Sequence, residues 1–196
     1  MQLHKPDVVD AATRILDTYG IADLTMRRLA RELDVSPGAL YWHFTNKQRL
    51  LGAVADRVLG PVGAAVCDGP WDEVVTGICG ALREALLSHT DGAELVSSSL
   101  AAGQSEAIAR ILARLAAAVG SAGIDGEHAE LAARTVVYYV LGFTADEQSR
   151  LQWDAAGAAL AGRSAVLASD ASARFMFGVG LLIDGIAARR GAPVSR

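Results

Sequence analysis

The sequence predicts an all-α fold, divided into a small N-terminal unit and a larger C-terminal one. Apolar residues recur every three or four positions along most of the 196 residues, which is the spacing of one helix face. The sequence shows no sustained alternation of apolar and polar residues, which would indicate a strand, and no Asn-Gly or Asp-Gly hairpin between two such strands. Hydrophobic residues make up 52% of the chain and charged residues 20%, so a large core is expected and disorder is not.

Three short helices are predicted before residue 45. Pro6 is tolerated at a first helical position and Gly20 is a typical helix terminator, so the apolar stripe between them predicts helix one. Thr25 is the expected N-cap of helix two. Ser36, which is followed by proline, is the expected N-cap of helix three, and this helix is predicted to end at Phe44.

A fourth helix is predicted to follow at once. Thr45 and Gln48 have the spacing of a capping box, which predicts that helix four begins at Thr45 and ends before Gly60. The segment 60–70 is rich in glycine and proline and marks a break. The alanine- and glycine-rich segment 154–168 is either a connector or a loose helix. Further helices are predicted at about 72–87, 91–100, 105–119, 127–148 or slightly beyond, and 171–190.

Charge is distributed unevenly along the chain, whose net charge is −4. Residues 25–57 carry six cations against three anions, whereas residues 1–24 have a net charge of −2 and residues 58–196 one of −5. A basic segment on an acidic body favours contact with phosphates at that segment and discourages it elsewhere. Double-stranded DNA is therefore an expected partner of residues 25–57.

Helices two and three have the proportions of a helix-turn-helix, in which the second helix enters the major groove by its N-terminal part. Small residues at the start of helix three permit close approach to base edges, where the free N–H groups of the helix N-terminus are available. A guanidinium from helix two pairs well with guanine, and an ammonium at the start of helix four binds a phosphate. The predicted DNA-binding residues are Thr25, Arg27, Ser36, Pro37, Gly38, Ala39, Tyr41, Trp42, His43 and Lys47.

The alternative is a plain three-helix unit whose aromatic residues all belong to the core. Leu40 and Phe44, four residues apart, are expected to be core residues. Three consecutive helical residues point in three directions, so Tyr41, Trp42 and His43 cannot all be buried. At least two of these three side chains are therefore expected at the surface.

Other function classes find little support in the sequence. Cys67 and Cys79 have no metal-ligand spacing, and no nucleophile–base set or pair of inward carboxylates indicates an enzyme. No cofactor and no metal are expected. The longest apolar runs are far shorter than the roughly 20 residues that a membrane span needs, and the N-terminus lacks the apolar core of a signal peptide. We therefore expect no membrane partner and a cytoplasmic location.

Several of these motifs occur together in one known family. Residues 8–60 resemble the DNA-binding domain of the tetracycline-repressor (TetR) family, above all in Leu-Tyr-Trp-His-Phe at 40–44 followed by Asn-Lys at 46–47. The remainder resembles the tetracycline-repressor subgroup of that family at residues 85–93, 141–142, 146–148 and 175–183.

The resemblance implies a dimeric, all-helical repressor in which a ligand bound to the C-terminal domain shifts the two DNA-reading units and releases DNA. It divides the chain into a helix-turn-helix DNA-binding domain at 1–46 and an effector-binding and dimerisation domain at 47–196. Helix four, at 45–60, is expected to link them.

The resemblance also implies that helix eight and the last helix form a four-helix bundle with a second subunit. Both helices are apolar over wide faces, which a lone subunit would leave exposed. The alternative is that both helices are simply internal. A symmetric dimer implies a palindromic operator with half-sites about one helical turn apart. The predicted interface residues are Leu131, Thr135, Tyr138, Tyr139, Phe175, Val179, Leu182, Ile183 and Ile186.

The resemblance ends at the positions that hold the drug in the tetracycline repressor. Its magnesium-chelating histidine corresponds to Val96 and a threonine ligand to Ser99. An asparagine and a phenylalanine that contact the drug correspond to Ile78 and Leu82. Valine and isoleucine neither ligate a metal nor donate a hydrogen bond from their side chains. We therefore expect that magnesium–tetracycline does not bind.

The residues that replace this drug site are mostly apolar, so a small hydrophobic effector is expected. The alternative is a DNA-binding protein without an effector, whose C-terminal domain serves dimerisation alone. The predicted pocket residues are Ile78, Leu82, Leu86, Val96, Leu100, Leu112, Leu115, Tyr138 and Phe143, with Ser99 and Gln104 as polar contacts.

Overall fold

The computed structural model describes residues 3–65, 69–157 and 170–189. Within these ranges every regular element is helical, which confirms the all-α prediction. A 3-10 turn, Ile21–Asp23, follows the first helix. The α-helices are α1 (Lys5–Tyr19), α2 (Met26–Glu32), α3 (Pro37–His43), α4 (Lys47–Leu59), α5 (Val62–Ala65), α6 (Trp71–Leu87), α7 (Gly92–Ala102), α8 (Glu106–Ser121), α9 (Gly126–Ala155) and α10 (Ala171–Ala188). We call α1–α3 the head and α6–α10 the body.

Local capping determines where α1 begins and ends. The backbone N–H of His4 donates to Asp7 Oδ2 at 2.9 Å, and Pro6 lies in the first turn, where its missing N–H costs nothing. Gly20 has a φ of +80° and ends the helix. That backbone conformation favours glycine, so the predicted end of helix one is correct. The helix begins at Lys5, one residue before the predicted start at Pro6.

The predicted capping box of α4 is wrong by one residue. Asn46, not Thr45, is the N-cap, and its Oδ1 accepts a hydrogen bond from the Arg49 N–H at 2.9 Å. Asn46 has an extended backbone, so the helix begins at Lys47. Thr45 and Gln48 are both exposed. Asparagine caps at least as well as threonine, so local propensity alone did not exclude either start.

Two further boundaries differ from the prediction. The short helix α5 lies within the segment 60–70, which was expected to be a break. Helix α9 runs for 30 residues and passes the expected end at Gln148 by seven. The expectation of a connector or loose helix at 154–168 falls outside the described residues from 158 onward.

One apolar core extends from the head into the body. α4 contributes Val54 and Val58 to it, so this helix packs against α1 on one side and against α6, α7 and α8 on the other. In the body α6, α8 and α9 pack against one another, while α7 and α10 pack on α9. Cys79 lies inside this core, and burial raises the pKa of its thiol to about 12. It is a structural core residue, and Cys67 lies outside the described residues.

Candidate nucleic-acid interface

The start of α2 is held by residues on both sides of it. Thr25 Oγ1 accepts a hydrogen bond from the Arg28 N–H at 3.1 Å, so this predicted DNA-binding residue is the N-cap of α2. Arg28 Nη1 lies 2.6 Å from Asp23 Oδ1, and the guanidinium stacks 3.7 Å above the ring centre of Tyr19. Arg28 is therefore committed to the head itself, whereas the neighbouring Arg27 is exposed.

The turn between α2 and α3 gives the pair of helices its helix-turn-helix geometry. Asp34 has a φ of +52°, a left-handed conformation that Asp tolerates better than most residues. The N–H of Val35 donates to the carbonyl of Ala30 at 3.0 Å, which ties the turn back to α2. Ser36 then caps α3, and its Oγ accepts from the Ala39 N–H at 3.3 Å.

The first turn of α3 is open to a large partner. Pro37 and Gly38 are exposed and Ala39 is half-buried. None of these side chains is large enough to hold a partner away from the helix backbone. The N-terminus of α3 is thus a place where a base edge or a phosphate could meet backbone N–H groups directly.

The aromatic residues of α3 divide between core and surface. Leu40 and Phe44 are buried, as expected for the inward face. Tyr41 is 49% exposed and Trp42 is 87% exposed, which is unusual for such large rings in a folded protein. His43 is half-buried. A plain three-helix unit with all its aromatic residues in the core is therefore excluded by the exposure of Tyr41 and Trp42.

Cations lie on the helices that flank these rings. Lys47 is half-buried in the first turn of α4. Arg31 on α2 and Arg49 on α4 are exposed, and neither was among the predicted site residues. Both belong to the basic segment 25–57, so the excess of cations in that segment already indicated that they could contact phosphates. Exposed aromatic rings between cations are suited to a ligand with flat apolar surfaces and phosphates.

A second exposed apolar face lies on α9 and α10. On α9 it contains Leu131 and Tyr138, and on α10 Phe177, which is 70% exposed, and Leu181, which is 58% exposed. The members on each helix are separated by seven or four residues and so lie on one side of that helix. Thr135 is exposed on the same side of α9.

The other six predicted dimer residues, Tyr139 among them, do not belong to this exposed face. Phe175, Val179 and Ile186 are buried within the subunit, because α10 turns that side towards α9 and α6. Leu182 and Ile183 are half-buried.

Tyr139 is also part of the joint between α9 and α10. Its hydroxyl donates to the carbonyl of Phe175 at 2.8 Å, and burial raises its pKa. A Cβ atom at Gly178 would overlap this tyrosine, so the joint depends on a residue without a side chain there.

Comparison with known proteins connects this geometry to a family. The family model for bacterial regulatory proteins of the tetR family matches residues 8–54, which run from within α1 into α4. The model of the tetracyclin repressor-like C-terminal domain matches residues 65–165. The chain belongs to the tetR family.

This tetR-family chain is therefore a DNA-binding transcriptional regulator and not an enzyme. The class A tetracycline repressor from transposon 1721 of Escherichia coli is 32% identical, over 96% of the regulator and 93% of the repressor. The crystal structure of Mycobacterium smegmatis BioQ is 61% identical, with a TM-score of 0.88, and covers 95% of the regulator and 99% of BioQ. A structure of BioQ with its natural double-stranded DNA operator is 58% identical over the same shares, with a TM-score of 0.83.

The residues that we expect to replace the drug contacts of the tetracycline repressor are core side chains in this regulator. Ile78, Leu82 and Val96 are buried and belong to the continuous core of the body. Ser99 is buried too, but its hydroxyl donates to the carbonyl of Leu95 one turn earlier in α7, at 2.9 Å. Among the described residues no group of three or more His, Cys, Asp or Glu side chains is placed to hold a metal ion.

The predicted pocket residues differ in how deeply they are buried. Leu86 and Leu115 are buried, and Leu100, Leu112 and Phe143 are half-buried against the same core. Tyr138 is 56% exposed, unlike the other predicted pocket residues of the body. Gln104 lies instead beside an open cleft of about 680 Å³ between the head, α4 and the turn before α8.

A largely buried ion pair connects α6 to α9 in the body. Arg83 Nε and Nη2 donate to the two carboxylate oxygens of Glu147 at 2.8 and 2.6 Å, and both side chains are largely buried. The guanidinium also lies 5.2 Å from the ring centre of Phe175 on α10. A bidentate pair in this geometry fixes the three helices relative to one another.

The length and composition of α10 would also suit a membrane span. Among the described residues it is the helix that is both long enough and apolar enough to cross a membrane. Only 17% of this apolar segment is buried within the subunit. Its inner side, which contains Phe175 and Val179, packs in the core. The apolar character of the outer side therefore needs an explanation other than the fold of one subunit.

Proposed function

We propose that this regulator is a homodimeric repressor that binds a palindromic operator, with α3 of each subunit in the major groove. The observation that carries the proposal is the exposure of Tyr41 and Trp42 on a short capped helix that is flanked by exposed cations. The operator complex of BioQ, a protein 58% identical to this chain, supports the same use of the head. The division at residue 46, with α4 as the link, remains part of the proposal.

The residues of the head have different roles in such a complex. The N-terminus of α3 approaches base edges through backbone N–H groups, because its first side chains are small. Arg27 reaches a base or a phosphate from α2. Tyr41 and His43 hydrogen-bond phosphates, Trp42 packs on sugar, and Lys47 contributes a positive charge near the backbone. Thr25 and Ser36 act as caps that hold the two helices in place.

The outer face of α9 and α10 is the proposed dimer contact. Leu131, Tyr138, Phe177 and Leu181 form its apolar part, with Thr135 among them. Large apolar side chains exposed along one side of each of two packed helices favour a site of protein association. Pairing with a second copy buries it in a four-helix bundle and places two heads on one duplex. We assign the regulator to the cytoplasm, where the operator is accessible.

Selection of binding sites from random duplex DNA by the full chain tests this proposal. The expected product is an inverted repeat with half-sites about one helical turn apart, and sedimentation should show one dimer on each selected duplex. A selected sequence without internal symmetry, or a monomeric protein at micromolar concentration, would contradict the proposal.

An apolar small molecule bound in the core of the body is the proposed signal for release. Thr144 of α9 supports it, because its buried hydroxyl has no hydrogen-bond partner among the described residues. A buried unpaired hydroxyl costs about 1–3 kcal/mol, which a ligand with a polar atom would recover. The effector acts only if it binds the DNA-incompetent conformation more tightly than the competent one.

A second candidate function is operator binding without any effector. The dense packing of Ile78, Leu82 and Val96 favours it, because a ligand would have to open this core. A library of apolar small molecules, screened for release of the selected operator, separates the two. Compounds that release DNA from the natural chain but not from the folded Thr144→Val variant support the effector, whereas a library without any active compound supports the second candidate.

A further inference from the structure

Helix α4 is seated on the turn between α7 and α8 by two of its residues. Gly52 and Asp56 lie one helical turn apart and therefore on the same side of α4. Gly52 meets the turn with its backbone and Asp56 with its carboxylate. The helix that leaves the head is thus attached to the body at a defined point.

The Asp56 carboxylate joins α4 to the N-terminus of α8. Its Oδ1 accepts hydrogen bonds from Ser105 Oγ at 2.7 Å and from the Ala107 N–H at 2.8 Å. The Ser105 hydroxyl accepts in turn from the Ile108 N–H at 3.2 Å and so caps α8. The carboxylate also lies at the positive end of the α8 dipole, which favours its negative charge.

The contact at Gly52 explains how close the two elements are. Gly52 is buried, and a Cβ atom at this position would overlap the carbonyl of Gln104. Gly103, the residue before Gln104, has a φ of +62° and turns the chain out of α7 towards this contact. No side chain separates α4 from the turn, so a movement of the turn is transmitted to α4 directly.

The head has a second attachment to the body, at the C-terminal end of α1. The Ile21 N–H donates to Asp91 Oδ2 at 2.9 Å, and Thr90 Oγ1 donates to the carbonyl of Asp17 at 2.9 Å. One attachment would leave the head free to rotate about it. Two attachments on different helices restrict the orientation of the head relative to the body.

We propose that Asp56 is a positioning residue for operator binding, which holds α4 on the α7–α8 turn and thereby sets the separation of the two recognition helices in the dimer. This inference rests on the proposed function, because a separation matters only when two heads bind one duplex. Asp56 touches no DNA in this role. It acts through the orientation of the head.

A purely structural role for Asp56 makes a different prediction. Loss of stability alone would lower the folded fraction and weaken binding to every duplex alike. Loss of positioning leaves each head intact, so a duplex with one half-site is bound as before. The full operator is then bound less tightly, since part of the binding free energy is spent on orienting the heads.

The test measures affinity of the full chain for three duplexes: the selected operator, one half-site, and the operator with one base pair inserted at its centre. Asp56→Ala should bind the operator about tenfold more weakly and the half-site within about twofold of the natural chain. The inserted base pair rotates one half-site by about 35° relative to the other. The loss of affinity caused by this insertion should be smaller for Asp56→Ala than for the natural chain.

Two further variants make the result specific. Asp56→Asn keeps an oxygen that can accept both hydrogen bonds and should restore most of the preference for the operator. Asp10→Ala removes the exposed partner of Arg57, which lies 2.7 Å away on α4, and should leave spacing preference unchanged because this pair does not reach the body. If Asp56→Ala does not fold, Ser105→Ala removes one of the two donors and should shift the preference in the same direction to a smaller extent.

The outcomes separate the inference from the function on which it rests. If the natural chain does not prefer the operator to the half-site, the proposed dimeric function is wrong and the inference falls with it. If the natural chain has this preference and Asp56→Ala binds all three duplexes with the same relative affinities, only the positioning role is overturned.

Discussion

The head and the outer face of the body both expose large apolar side chains, but their surroundings differ. Tyr41 and Trp42 lie on α3 between helices with exposed arginines. Phe177 and Leu181 lie on a helix whose neighbouring positions are largely apolar or small. Exposure alone therefore does not identify a partner. The charge around the exposed rings does, because phosphates need cations and a second copy of the same face does not.

The largest expected effect comes from a charge in the outer face of α10. Phe177→Glu places a carboxylate where the proposed dimer has its apolar centre, and burying an unpaired charge costs several kcal/mol. We expect a monomer in sedimentation and at least roughly 100-fold weaker binding to the operator. Leu151→Glu is a matched control, because Leu151 is 59% exposed but lies on the other side of α9 from Tyr138. Equal effects of the two changes would remove the distinction between these surfaces.

Two exposed tyrosines allow the comparison to be made with the same chemical change. Tyr41→Ala should weaken binding to the operator and to a half-site by roughly tenfold, since it removes a hydrogen bond and a ring from the DNA contact. Tyr138→Ala should leave half-site affinity unchanged and shift only the monomer–dimer equilibrium. Anisotropy titrations with the two duplexes measure the first effect and sedimentation the second. Identical behaviour of both variants would mean that exposure, not location, decides the outcome.

A smaller effect is expected for a single cation. Lys47→Ala should reduce the slope of log affinity against log salt concentration by about 1 and weaken binding similarly for all duplexes. Arg110→Ala, which removes an exposed cation from α8 on the body, serves as the control and should leave the slope unchanged. Equal slopes for the natural chain and for Lys47→Ala would place Lys47 outside the DNA contact.

Addition of tetracycline with magnesium is expected to have no effect on operator binding. Tetracycline with magnesium should not release the operator, because Val96, Ile78 and Leu82 are buried apolar side chains where the drug would need a metal ligand and hydrogen-bond donors. Titration of the protein–operator complex with the magnesium–drug complex measures this. Release at micromolar drug concentration would show that the body opens far more readily than its packing indicates.

Local signals in the sequence were sufficient for most of the head. Thr25 and Ser36 cap their helices as predicted, since a cap needs only a side-chain oxygen and a backbone N–H two or three residues later. The error at Asn46 is of the same local kind, because Thr45 and Asn46 are both good caps. The choice between them depends on how α4 must leave α3 to reach the core.

Inward and outward faces of α10 were harder to predict. Its sequence is apolar all round, so periodicity did not distinguish Phe175 and Val179, which are buried, from Phe177 and Leu181, which are not. Packing against α9 and α6 made that distinction. The pocket shows the same limit: Tyr138 and Leu112 are both apolar helix residues, and only the arrangement of helices separates the outer face from the core.

The sequence by itself determined the all-helical fold, the position of the head and its chemistry, because helix periodicity, caps and charge are properties of neighbouring residues. Tertiary structure decided which apolar residues remain exposed and where the head is attached to the body. The contacts of Asp56 with Ser105 and Ala107 join residues about 50 positions apart. Such contacts depend on the packing of whole helices, and no spacing along the chain encodes them.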